Sequence, residues 1–128
     1  MKRSYLFLLL IFCLGCKKSS DNPTPTPPTP VVKPTMHITI NSTKLFSYNI
    51  TEIDTLSGDF GTKDDYDITT LDYTFTPTPG HKVVIEAIGL ITATTTVTAT
   101  YNSKALGPFT SFKDDTHNTL SLTYTVPK

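Results

Sequence analysis

Alternation is the feature that most limits what this chain can become. Between Met36 and Val126 runs of alternating apolar and polar residues recur, and no long stretch repeats at the 3.6-residue spacing of a helix. Met36, Ile38 and Ile40 alternate with His37, Thr39 and Asn41. Phe46, Tyr48 and Ile50 resume the pattern, and Leu71, Tyr73 and Phe75 share a face. Val97, Ala99 and Tyr101 interleave with threonines, and Leu120, Leu122, Tyr124 and Val126 end the chain. Successive side chains of a strand leave to opposite faces, so each of these runs offers one face to a core. Threonine supplies many of the polar positions and suits a pleated surface.

The punctuation between runs sets the strand count. Asn41-Ser42-Thr43-Lys44 reads as a turn, which would make a hairpin of the strands on either side. Glu52 to Asp65 is polar and reads as a loop, punctuated by Gly58 and Gly61. Ile68 to Thr76 reads as a strand, and Pro77-Thr78-Pro79-Gly80 is a strong turn signal. Lys82 to Ile91 is apolar on both faces, which predicts the central and most buried strand. Thr92 to Tyr101 follows, and then Leu106 to Phe112, whose proline predicts an edge strand. Asp114 to Asn118 is a loop before the last strand. About seven strands with turns between them predict an all-β domain, best explained as a two-sheet sandwich, with a small barrel as the other solution.

The N-terminal third has a different character. Lys2 and Arg3 precede an apolar run from Leu6 to Leu14. That length suits a secretory signal and falls short of the roughly 20 residues of a membrane-spanning helix. The only cysteines are Cys13 and Cys16, so nothing beyond them can form a disulfide, a thiol nucleophile or a cysteine-based zinc site. Residues 17–35 alternate proline and threonine without any apolar period. Such a segment forms an extended spacer of about 3.1 Å per residue, enough to hold a domain some 50 Å from its anchor. A proline-motif ligand for a recognition domain is the competing use.

Two resemblances extend this reading. Cys13-Leu14-Gly15-Cys16 resembles the lipobox of bacterial lipoproteins, in which the final Cys is acylated and becomes the new N-terminus. The resemblance implies a signal peptide at 1–15, a lipidated Cys16 opening a linker at 16–35, and a domain at 36–128. It also implies a membrane contact made through lipid alone, in the cell envelope at the outer membrane. Leu71 to Ile85, LDYTFTPTPGHKVVI, is similar to the strand-turn-strand of PKD-type domains, and Asp59-Phe60-Gly61-Thr62 resembles their upstream turn. That implies a single small immunoglobulin-like β-sandwich. The whole layout is similar to accessory surface lipoproteins of glycan-foraging Gram-negative bacteria. It implies a non-catalytic binding or accessory module for a carbohydrate or another surface ligand. The alternative is a structural subunit of an envelope complex facing the periplasm.

Charge narrows the partners. Residues 36–128 hold ten acids and six lysines, a net charge of −4, which argues against a nucleic-acid surface. Seven of the ten acids lie between Glu52 and Asp72, opposed only by Lys63. Asp64, Asp65 and Asp67 are the candidate calcium ligands, because Ca2+ needs several closely placed hard oxygens. The competing reading is a solvated acidic loop that aids solubility. Asp59 and Tyr66 are candidate ligand contacts in the same region, whereas Tyr48, Tyr73, Tyr101 and Tyr124 fall in the inward phase. Asp114, Asp115 and His117 form a second polar loop, and with His37 and His81 show no metal-ligand spacing. Glu86 stands alone in an apolar run, and no catalytic motif is present. No enzyme activity is expected, nor any cofactor beyond calcium. Exposure of Leu106, Phe109 and Phe112 would favour docking onto another protein.

Overall fold

The computed structural model describes residues 32–128, which form one compact unit from Val32 to Lys128. The expected signal segment, the expected lipidation site Cys16 and the expected linker as far as Val31 lie outside the described residues. Seven strands follow in order: β1 (Met36–Ile53), β2 (Phe60–Phe75), β3 (Lys82–Leu90), β4 (Thr95–Tyr101), β5 (Lys104–Leu106), β6 (Thr110–Lys113) and β7 (His117–Thr125). The described residues contain no helix.

All seven strands belong to one antiparallel sheet organised around β1. β2 pairs with β1 along its whole length, from Met36 opposite Phe75 to Ile53 opposite Phe60. The other edge of β1 is divided. Residues 36–42 pair with β4, and residues 46–53 pair with β3. β5 extends the sheet beyond β4, while β7 and then β6 extend it beyond β3.

Connectivity forces this sheet to curl. Phe75 lies beside Met36, whereas Lys82 lies beside Ile53 at the far end of β1. The segment 76–81 that joins them can span at most about 25 Å. A straight 18-residue strand would be roughly 55 Å long. β1 must therefore bend back on itself, and its register with β2 shifts between Asn41 and Phe46. There Thr43 N–H donates to the Thr94 carbonyl at 3.1 Å, and Lys44 Nζ reaches the Thr92 hydroxyl at 2.8 Å.

The bend turns the two limbs of β1 toward a common core. Met36, Ile38 and Ile40 from one limb, and Phe46, Tyr48 and Ile50 from the other, are all buried. Val83, Ile85, Ala87, Ala99 and Val126 complete the core. Tyr101 of β4 meets Tyr124 of β7 at 5.4 Å between ring centroids, although two strands separate β4 from β7 in the sheet. Among the described residues the eleven buried hydrophobic side chains all lie between Met36 and Val126, within the compact unit Val32–Lys128.

Four expectations change. The turn at 41–44 does not reverse the chain; it is a bend within one strand, because the apolar phase stays on even positions through it. The polar stretch expected to loop as far as Asp65 joins β2 from Phe60 onward, since β1 supplies a ladder partner and an outermost strand needs few apolar residues. β3 is central, and Val83, Ile85 and Ala87 are fully buried, but its second face is open and exposes Ile88 and Leu90. Leu106 to Phe112 is not one edge strand. It divides into β5 and β6 on opposite sides of the sheet, around Gly107 at φ 136°, a conformation suited to glycine.

Candidate functional site

Two recesses lie on this scaffold. The first is at the end where β1 turns into β2. Asp54 organises that turn: its carboxylate accepts the Leu56 N–H at 2.8 Å and the Ser57 hydroxyl at 3.0 Å. Gly58, at φ 79°, donates its N–H to the Asp54 carbonyl, and Asp54 N–H donates to the Asp59 carbonyl. Beside it runs the 76–81 connection. Glu52 accepts the Thr78 N–H at 2.6 Å through Oε1, and His81 Nδ1 lies 3.1 Å from the same oxygen. The Thr55 hydroxyl donates to the Gly80 carbonyl and ties the two loops together.

Between the loops is an open cleft of about 280 Å³ lined by Glu52, Asp54, Asp59, Phe60, Thr78 and His81. Phe60 is 73% exposed there. Glu52 and Asp54 spend part of their acceptor capacity on the loops, and Asp59 is left to solvent. The cleft thus offers an aromatic face beside several hydrogen-bond acceptors.

The second recess is on the outer face of the sheet near the bend. Leu45, Ser47, Tyr66, Asp67, Ile88, Leu90 and His117 line a groove of about 340 Å³. Tyr66 and Asp67 occupy the bulge of β2, with Asp67 at φ 57°. The Asp64 carboxylate beside the Tyr66 phenol pushes its pKa up.

The candidate residues are therefore separated. Asp59 belongs to the end cleft and Tyr66 to the outer groove. Asp64 and Asp65 sit opposite Asn49 and Tyr48 on a strand, so their side chains leave to opposite faces. Among the described residues no group of three or more His, Cys, Asp or Glu side chains converges to hold a metal ion. The acidic run and the bulge lie on β2, whose other edge has no strand partner among the described residues, and charges and bulges at such an edge oppose further strand pairing. The three histidines stand apart, each near its own carboxylate: His37 with Asp72, His81 with Glu52, His117 with Asp114. Leu106 and Phe109 pack against the core, and of the expected docking trio Phe112 alone is exposed. Glu86 is half-buried on the outer face of β3. The cleft residues Glu52 and His81 carried no sequence signal as a pair, because 29 positions separate them.

Asp114 has a structural role like that of Asp54. It accepts the N–H groups of Thr116 and His117 at 2.7 and 2.6 Å, closing the β6–β7 hairpin. The bonds from His117 and Thr116 lower the Asp114 pKa, and those from Leu56 and Ser57 lower that of Asp54. A depressed carboxylate stabilises the fold fully above the ordinary value of 3.8 and loses that contribution as pH falls below it. The melting temperature should therefore fall as pH drops through this range. The Asp54→Asn, Asp114→Asn double variant should show a flatter acid limb in thermal scans between about pH 2 and 7. An unchanged acid limb would mean the turns do not govern it.

No family model, curated protein or solved structure matches the chain.

Proposed function

We propose that the protein is a non-catalytic, lipid-anchored binding module of the cell envelope, and that it takes a carbohydrate at the end cleft. The cleft carries this reading. An exposed aromatic ring can pack on the apolar C–H face of a sugar, while carboxylates accept its hydroxyl protons in charge-assisted bonds. Phe60 supplies the ring, and Asp59 and Asp54 supply acceptors. The signal-like N-terminus and Cys16 support anchoring through lipid at the outer membrane, and the Pro/Thr segment supports a standoff from it. We read the curled sheet as an immunoglobulin-like sandwich whose layers are continuous through β1, with Tyr101 and Tyr124 meeting between them.

Phe60→Ala should lower affinity for a bound glycan about fivefold or more, because covering one face of an aromatic ring is worth on the order of 1 kcal/mol or more. Asp59→Asn should weaken it less. A glycan array probed with residues 32–128 and both variants checks this. Equal binding by Phe60→Ala would remove the cleft from the account. Protease shaving of intact cells would then tell a surface domain from a periplasmic one.

The second reading is a structural subunit of an envelope complex facing the periplasm. The open apolar face of β3, with Ile88 and Leu90 exposed beside Leu45 and Tyr66, favours it. Photo-crosslinking from position 90 in cells would capture a discrete neighbour if this holds.

A further inference from the structure

The outer face of the sheet carries more apolar surface than the groove alone. The pairing register places Ser47 beside Ile88, Ile88 beside Thr119, and Thr119 beside Phe112. Directly paired residues of antiparallel strands share a face. One row therefore crosses β1, β3, β7 and β6, starting from the bulge that holds Tyr66. It reads aromatic, small hydroxyl, Ile, small hydroxyl, aromatic. The next row places Leu90 beside His117, and Leu45 joins them in the groove. Tyr66 is 67% exposed, Phe112 69%, Leu45 54%, Leu90 42% and Ile88 37%. Single exposed apolar residues are ordinary on a protein surface, but a contiguous set of this size marks an interaction site.

Charge identifies the occupant. Asp67 lines the groove itself, and Asp64, Asn49 and Glu86 form the adjoining row on the same face. Asp114 and Asp115 occupy the turn next to His117. Lys44, which donates to the Thr92 hydroxyl, and Lys113, next to Asp114, bring two cations against these five carboxylates. A second copy would set this acidic rim against its own likeness, and an anionic lipid surface would be repelled by it. We infer that the outer face around Ile88 and Leu90 docks a protein segment that presents apolar side chains interleaved with lysine or arginine. The small Ser47 lies beside Ile88 in the groove, which takes the apolar side chains, and the rim meets the cations. This inference is independent of the end cleft and rests on the subunit reading.

The test uses residues 32–128 and two synthetic ten-residue peptides, one alternating Leu with Lys and the other Leu with Glu. Isothermal titration should show at least tenfold tighter binding of the Leu/Lys peptide, weakening as salt is raised. Ile88→Glu should abolish apolar docking. Asp67→Lys combined with Glu86→Lys leaves the apolar residues in place and should shift the preference toward the Leu/Glu peptide. Asp72→Lys, on the other limb of the sheet, should change neither. Equal affinity for the two peptides, or retention of the Leu/Lys preference in the rim variant, would overturn the proposal. So would a dimer by light scattering that Ile88→Glu dissolves, or vesicle binding that the same variant removes. If a neighbour crosslinks from position 90 in cells while the peptides show no preference, the subunit reading survives and the partner chemistry proposed here falls.

Discussion

Ile38→Ala should destabilise the domain by about 3 kcal/mol, within the range for truncating a buried aliphatic side chain. Ile38 is fully buried on the first limb of β1, opposite Tyr73 of β2 and Ala99 of β4. Alanine would remove apolar contact with both neighbouring strands and leave a void that the sheet cannot close without moving β1. Domains of this size are stable by only about 5–15 kcal/mol, and no disulfide supports this one. The expected fall in Tm is roughly 12–24 °C. Thr39→Ala, one position along and on the opposite face, should change stability by less than about 0.5 kcal/mol. Urea denaturation of the pair reads the difference as a shift in midpoint. Similar midpoints would mean that the inward phase assigned to β1 is wrong.

Asn49→Pro should prevent folding. Asn49 pairs with Asp64 on one edge and Glu86 on the other, so its N–H meets a neighbouring strand whichever edge it faces. Proline deletes that donor and places its ring in the ladder of a strand paired on both edges, where proline is essentially not found. Asn49→Ala keeps the N–H and loses only the side-chain bond from the Thr51 hydroxyl, so it should stay folded. Far-UV circular dichroism and proton-NMR dispersion distinguish the two. A folded Asn49→Pro domain would show that β1 is not paired on both edges.

How much of this was legible in the sequence depended on which residues did the telling. Period-2 alternation identified the inward positions of β1, β4 and β7 because a buried face demands apolar residues at that spacing. The same signal failed at the bend. Ser42, Thr43 and Lys44 look like a reversing turn, yet their backbone and side chains bond to the 92–95 stretch about fifty residues away. Local residues cannot report a partner so distant. The start of β2 was hidden for a related reason: every residue from Phe60 to Asp67 is exposed, so the stretch carries no burial pattern, and the ladder with β1 holds it in strand form. Apolar residues on both faces of β3 suggested two covered faces, whereas the fold covers one and leaves Ile88 and Leu90 as surface. Asp59 was visible as a loop acid. The cleft around it was not, because the Glu52–His81 pairing follows from the curl of the sheet.

The most direct test of the cleft reading is a 15N–1H correlation titration of residues 32–128 with neutral oligosaccharides, carried into the millimolar range. The account predicts that shifts concentrate at Glu52 to Gly61 and Thr78 to His81 for at least one glycan, while Ile88, Leu90 and His117 stay still. Shifts confined to the outer face, or none from any glycan, would contradict it.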